Sequence, residues 1–170
     1  QYGLDHDNFI GKTIQKNNLE LDGLVFFREH RIRFQQELAR KTRGLPKSID
    51  NRLDLFCEKL GSLLDLNDEK PALLHGDLWS GNYFASHDQT PYIFDPAVYF
   101  GLREADLAMT EMFGRLPQEF YSTYQEVFPT QPGYTERKDI YNLYHLLNHY
   151  NLFGGSYLEQ ADQTVRSFLD

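Results

Sequence analysis

His75-Gly76-Asp77-Leu78-Trp79-Ser80-Gly81-Asn82, answered downstream by Ile93-Phe94-Asp95-Pro96-Ala97, is the stretch that decides how this chain folds. It follows a short apolar run, Ala72-Leu73-Leu74, that ends in turn-forming residues. Two strand patterns, Asn82–Ala85 and Tyr92–Phe94, flank a polar turn and read as a hairpin. A hairpin returns its two ends to one place. Asn82 at its start and Asp95 at its end are therefore expected side by side, with Asp77 on the adjoining loop. Two carboxylates and an amide oxygen at the mouth of a small sheet are hard donors that suit Mg²⁺. A carboxylate just outside such a shell can orient a hydroxyl nucleophile.

Outward from the hairpin the pattern is helical. Leu24, Phe27, Arg31, Phe34 and Leu38 recur at spacings of three and four, which predicts a helix over Asp22–Lys41 with Asp22 as its cap. Ile49, Leu53, Phe56, Leu60 and Leu63 or Leu64 predict a second over Ser48–Asp65, capped by Ser48. Leu66–Lys70 reads as a polar break. Further helices are expected over Arg103–Phe113, Pro117–Phe128, Gly133–Phe153 and Ser156–Leu169. The third of these carries a broad stripe of Ile140, Leu143, Tyr144, Leu147 and Tyr150 or Asn151. The first twenty residues are polar and irregular. The expected fold is a predominantly α-helical α+β domain with one embedded hairpin as its only β region.

Composition sets the outer limits. A hydrophobic share of 41% with 13 Phe and 11 Tyr fills a core and excludes disorder as the main state. Seventeen basic against 25 acidic residues give a net charge of −8, which disfavours nucleic acid and anionic membranes as partners. No apolar run approaches the roughly 18 residues that span a bilayer. The single Cys57 excludes an internal disulfide and fits a reducing, cytoplasmic compartment. The opening QYGLDHDNFIGK, with no initiator Met and no signal character, reads as a cut inside a longer protein.

Four residues separate Asp77 from Asn82, and a second Asp follows the hairpin. That is the spacing of the kinase catalytic loop, where an Asp accepts the substrate hydroxyl proton and an Asn and a later Asp hold Mg²⁺. HGD in place of HRD, and FDP in place of DFG, resembles the small-molecule branch of the kinase-like superfamily, with its aminoglycoside and choline phosphotransferases. HGDLWSGN with its Trp79, the run IFDPAVYFGLREADLAMTEMFG, GLDHDNFIG near the start and LLNHYNLFGGSY near the end narrow the resemblance. Together they resemble the fructosamine kinase (ketosamine 3-kinase) family over nearly all of the chain.

The resemblance implies ATP- and Mg²⁺-dependent phosphorylation of the 3-hydroxyl of a sugar joined through an amine, the early glycation adduct of a lysine or small amine. It makes Asp77 the proton acceptor and Asn82 and Asp95 the Mg²⁺ ligands. His75 would brace the loop, and Asp106 would accept hydrogen bonds from its backbone. Trp79, Asp5, His6, Asn148 and His149 become candidate substrate contacts. Family members also carry an N-terminal lobe with a nucleotide clamp and a phosphate-binding Lys. No glycine-rich clamp or P-loop occurs here, so the chain is expected to be a protein-kinase-like C-terminal lobe, inactive without that partner lobe.

Plainer readings accompany each of these. Asp77 and Asp95 can serve as turn formers, His75 as a hydrogen-bonded structural histidine, and Trp79 as a core aromatic. Asp5, His6, Asp7 and Asn8 read more readily as a solvated loop than as a metal cluster. His145 and His149 share a helix face but lack the HExxH pattern and a third ligand for zinc. Arg31, Arg33, Arg40, Lys41 and Arg43 read as a solvated basic face. The competing functions are phosphotransfer to another small hydroxyl acceptor, metal-dependent hydrolysis, and a non-catalytic helical interaction module.

Overall fold

A computed structural model describes every residue except Asp65, Asn67, Asp68 and Asp170. The chain opens with β1 (Asn8–Ile10) and β2 (Thr13–Gln15). It continues through α1 (Gly23–Phe26), a π-helical segment (Phe27–Arg33) and α2 (Phe34–Thr42) into α3 (Lys47–Leu63). Then come β3 (Ala72–Leu74), a 3-10 turn (Ser80–Asn82), β4 (Tyr83–Ala85), β5 (Pro91–Ile93) and β6 (Tyr99–Gly101). The last stretch is helical: α4 (Glu104–Met112), α5 (Gln118–Val127), α6 (Tyr134–Phe153) and α7 (Tyr157–Leu169). The fold is the helix-dominated α+β class expected. No described helix is long and apolar enough to cross a membrane.

The expected hairpin is present, with Tyr83 opposite Ile93, Phe84 opposite Tyr92 and Ala85 opposite Pro91. Asn82 ends the 3-10 turn rather than starting the strand, and Phe94 lies just past β5, its N–H donating to the Asn82 carbonyl at 3.1 Å. Two further antiparallel pairs were not expected. β3 pairs with β6, Leu74 opposite Tyr99, so the whole segment 75–98 is a loop closed at its base. β1 pairs with β2 in the part read as irregular, and Gly3 bridges to Phe100. The misreading has a physical cause: polar Gln15 and Asn17 are each only 1% exposed, so polarity there marks buried hydrogen bonding rather than solvent.

Asp22 caps α1, its Oδ1 accepting from Leu24 N at 2.7 Å and Val25 N at 3.1 Å. The single helix expected over Asp22–Lys41 is interrupted by the π segment, whose wider turn carries Arg31 inward. Arg31 is fully buried, not part of a solvated face. Its guanidinium lies 3.9 Å from the Tyr99 ring centre and 4.6 Å from that of Phe26, and it donates to the Lys16 carbonyl at 2.5 Å and to Asn17 Oδ1 at 2.9 Å. Ser48 does not cap α3. That helix starts one residue earlier behind Pro46, whose carbonyl takes the Ile49 and Asp50 N–H groups. Its expected end, Asp65, lies outside the described residues, as do Asn67 and Asp68 of the expected polar break.

The core gathers Phe26, Phe27, Ile32, Leu53, Phe56 and Leu60 against Ile140, Leu143, Leu147, Ala161 and Val165. α6 lies at its centre and is buried well beyond a single stripe, Arg137, Asn142, His145 and Asn148 included. A helix buried on most sides must satisfy its polar groups internally. Arg137 does so with Glu104, donating from Nη2 at 2.6 Å and from Nε at 2.7 Å, with side-chain exposures of 7% and 4%. Asn142 donates to the Ala108 carbonyl at 3.0 Å. These bonds lock α4 onto α6. Replacing Glu104 by Leu strands the Arg137 charge and is expected to cost about 3–5 kcal/mol in urea unfolding, most of it recovered in the double variant with Arg137→Leu. A single-variant loss within the noise of the measurement would show that the pair does not hold the two helices.

Candidate active site

Closure of segment 75–98 by the β3–β6 ladder places the loop residues. Gly76 adopts φ +82°, and a Cβ there would lie 2.0 Å from the Ala97 carbonyl oxygen, so only glycine lets the two limbs touch. Asp106, in the first turn of α4, aims both oxygens at the same loop: Oδ2 accepts from His75 N at 2.7 Å and Oδ1 from Gly76 N at 2.9 Å. Burial raises its pKa, and these two backbone donors oppose the rise.

His75 spans the loop. Its Nε2 lies 3.0 Å from the Phe94 carbonyl oxygen, which can only accept, so Nε2 carries the proton. Nδ1 then accepts from Asp77 N at 3.3 Å. With both ring nitrogens committed, the side chain has no free lone pair with which to act as a base. Its own carbonyl accepts from Ala97 N at 2.8 Å.

Asp77 and Asn82 meet. Asn82, 6% exposed, donates from Nδ2 to the Asp77 carbonyl at 2.9 Å and to Asp77 Oδ2 at 3.3 Å, which leaves Asn82 Oδ1 as the uncommitted oxygen. Burial pushes the Asp77 pKa above the ordinary carboxylate range. His149, His75 and the Asn82 amide pull it back, while Asp95 adds to the rise. Asp95 is exposed at φ +54°, in the left-handed region that Asp tolerates better than most residues. Among the described residues no three carboxylate, imidazole or thiol side chains converge on a metal position. The donors that this chain offers a cation are thus an amide oxygen and carboxylates, which suits Mg²⁺, an ion that keeps water and phosphate in its shell.

Asp77 opens onto a cavity of about 370 Å³ shared with Trp79, Asn148 and His149. These three sequence candidates come together. Asp5 and His6 do not join them; exposed and paired with each other, they line a separate cleft with Asp7 and Asn17. The Trp79 ring covers Gly81, where a Cβ would lie 2.3 Å from it, and meets Phe113 edge-on at 6.2 Å. His149 sits among Phe113, Tyr157 and Phe153, with ring centres at 5.0, 5.1 and 5.6 Å. Its Nδ1 donates to the His145 carbonyl at 2.7 Å, so Nε2 is its uncommitted nitrogen. The Asn148 oxygen accepts from Gln35 at 3.3 Å, which leaves its amide nitrogen for the cavity.

Seven lining residues are not among the sequence candidates: Ile10, Gly11, Met109, Phe113, Leu152, Phe153 and Tyr157. Five of them are apolar or aromatic residues of the helical part, which periodicity alone assigns to a core, and Ile10 and Gly11 lie in the opening stretch that reads as irregular. A signal existed in Gly11, which turns the β1–β2 hairpin at φ +57°. The arrangement can set an alcohol against the half-buried Asp77 carboxylate at the mouth of the cavity.

A raised carboxylate pKa has a cost in stability with a definite sign. Between the ordinary value of 3.8 and the raised folded value the folded state keeps a proton that the unfolded state releases, so stability falls as pH climbs through this window. Asp77→Asn removes the penalty. It is expected to raise the melting temperature by a few degrees at pH 7, with the gap closing below pH 3.8, as read by thermal unfolding at several pH values. Backbone strain at Asp95 is separable in the same way: Asp95→Ala is expected to melt lower than Asp95→Gly, since only glycine adopts φ +54° freely.

Residues 1–170 match the fructosamine kinase family. A Vibrio parahaemolyticus protein named "Probable ketoamine kinase" is 47% identical over 169 residues, which are 99% of this chain and 57% of that protein. A protein of Oryza sativa subsp. indica named protein-ribulosamine 3-kinase, chloroplastic, is 43% identical over 168 residues, 99% of this chain and 48% of its own length. The crystal structure of a candidate fructosamine-3-kinase from Thermobifida fusca aligns with a TM-score of 0.90 at 32% identity, covering 99% of this chain and 58% of that one. The chain spans about half the length of the relatives it matches. With the family matched from first residue to last and the kinase-like fold shared, this chain belongs to the fructosamine kinase family.

Proposed function

We propose that this chain is the acceptor-side lobe of a kinase that phosphorylates the 3-hydroxyl of a ketosamine, a fructosyl or ribulosyl group on an amine. The observation that carries the reading is Asp77: a carboxylate at the mouth of an aromatic cavity, its pKa raised by burial, with the Asn82 amide nitrogen turned toward it. Asp77 accepts the proton of the sugar hydroxyl as the oxygen attacks. Asn82 Oδ1 and the Asp95 carboxylate would hold Mg²⁺. Bound ATP·Mg²⁺ supplies the phosphoryl group and the charge that offsets it. Trp79 and Phe113 wall the sugar, and His149 Nε2 and the Asn148 amide nitrogen hydrogen-bond to it. Asp106 and His75 hold the loop to which Asp77 belongs. The nucleotide clamp belongs to a lobe outside these 170 residues, in line with the greater length of the relatives.

An aminoglycoside, choline or another small alcohol as the acceptor keeps the same chemistry, and the acceptor panel below decides between them. The hydrolase reading loses support because both His75 nitrogens are committed and, among the described residues, no further carboxylate, imidazole or thiol joins Asp77 and Asp95.

In the full-length protein Asp77→Asn is expected to lower kcat by about a hundred- to ten-thousand-fold with the acceptor KM changed little. Asp95→Asn is expected to raise the Mg²⁺ concentration needed for half-maximal rate. The acid limb of kcat/KM should lie above the ordinary carboxylate value of 3.8, because the proton acceptor must be ionised. A panel of fructosyl-lysine, ribulosyl-lysine, an aminoglycoside and choline reads out the acceptor. Unchanged turnover in Asp77→Asn would overturn the assigned role, and turnover confined to the last two acceptors would overturn the substrate class.

A further inference from the structure

Asp95 holds a backbone conformation that few side chains favour, and such conformations persist only where the surroundings over-determine them. Here the bracketing is unusually complete. On the upstream side Phe94 N donates to the Asn82 carbonyl at 3.1 Å, and the Phe94 carbonyl accepts from His75 Nε2 at 3.0 Å. On the downstream side Ala97 N donates to the His75 carbonyl at 2.8 Å. The next two carbonyls are taken by side chains from the β1–β2 hairpin: Gln15 Nε2 donates to Ala97 O at 2.9 Å, and Asn8 Nδ2 donates to Val98 O at 2.8 Å.

Those two side chains are themselves fixed. Gln15 also donates to Asn8 Oδ1 at 2.9 Å and accepts at Oε1 from Tyr144 Oη at 2.9 Å. Asn17 donates to Asn8 Oδ1 at 2.8 Å and accepts from the buried Arg31 at 2.9 Å. A buried amide costs free energy unless it is fully hydrogen-bonded. A core built only for stability has little use for Gln15 and Asn17, each 1% exposed, where apolar residues would pack. What this network reaches is the pair of carbonyls immediately after Asp95-Pro96. It also reaches α6 at Tyr144, on the helix that carries His149 into the acceptor cavity.

We infer that Gln15, seconded by Asn8, is a positioning residue that holds the Asp95 carboxylate in place for its cation and ties that loop to the acceptor helix through Tyr144. The inference rests on the reading of Asp95 as a cation ligand.

Its test uses the full-length protein and three variants. Gln15→Met keeps length but neither donates nor accepts. Tyr144→Phe removes one hydroxyl from Gln15 and keeps the ring. Asp95→Asn is the control for the ligand itself. Without metal or nucleotide, amide hydrogen exchange in the peptide 94–99 is expected to quicken about three- to tenfold in Gln15→Met and less in Tyr144→Phe, with α7 unchanged. Mn²⁺ affinity in the presence of nucleotide, read by electron paramagnetic resonance, is expected to weaken in the same order, with the acceptor KM unmoved. If Asp95→Asn weakens Mn²⁺ binding while the two network variants alter neither exchange nor affinity, this inference fails and the reading of Asp95 stands. If Asp95→Asn binds Mn²⁺ as tightly as the unaltered protein, there is no ligand to position and both fail. Exchange that quickens equally in α7 and in 94–99 would make Gln15 a general stabiliser and overturn the positioning role. Should Gln15→Met not fold, Tyr144→Phe decides by the same readouts.

Discussion

The short ladder between Ala72–Leu74 and Tyr99–Gly101 is the constraint on which the site depends. By bringing Leu74 opposite Tyr99 it turns everything from His75 to Val98 into a closed loop. The Gly76 and Ala97 limbs then touch without a side chain between them. Once the limbs touch, Asp106 can serve two N–H groups with one carboxylate, and His75 can reach Phe94 with one nitrogen and Asp77 with the other. The bonds that cross between the two limbs, His75 Nε2 to the Phe94 carbonyl and Ala97 N to the His75 carbonyl, depend on the register of that ladder.

Around this loop the protein places polar groups where a plain helical domain would keep hydrocarbon. Arg31 lies inside an aromatic cage, Gln15, Asn17 and Asn148 are buried amides, and His145 is a buried imidazole whose pKa falls to about 3. Desolvation makes His145 neutral, so it adds no charge beside His149 at ordinary pH. Such groups stabilise little by themselves and raise the cost of any wrong arrangement. The half-buried carboxylate of Asp77 belongs to the same pattern. Its environment disfavours the charge that the role proposed for it needs.

The cavity that Asp77 opens onto is made by elements far apart in sequence: the β1–β2 turn, the Asp77 loop, the end of α4, and the α6–α7 corner. Aromatic rings line it and a single carboxylate opens into it, an arrangement that suits a sugar with one apolar face and one reacting hydroxyl. Membership in the fructosamine kinase family agrees with that chemistry.

Much of this was legible in the residues alone. The spacing of Asp77, Asn82 and Asp95 around strand-forming residues announces the hairpin, because period-two patterning and turn chemistry are local. Helix periodicity placed the later helices to within a residue or two for the same reason. Tertiary structure alone decided the rest. Strand pairs of three residues, such as β3–β6, carry too little pattern to be seen until their partners are in place. Spacing puts Arg31 on the apolar stripe of its helix while its charge argues for solvent, and only the aromatic rings and carbonyls that the fold gathers around it decide for burial. Gln15 and Asn8 look like loop residues because polarity in sequence normally means solvent. Only a fold that brings backbone carbonyls to them makes the burial of Gln15, and the partial burial of Asn8, favourable.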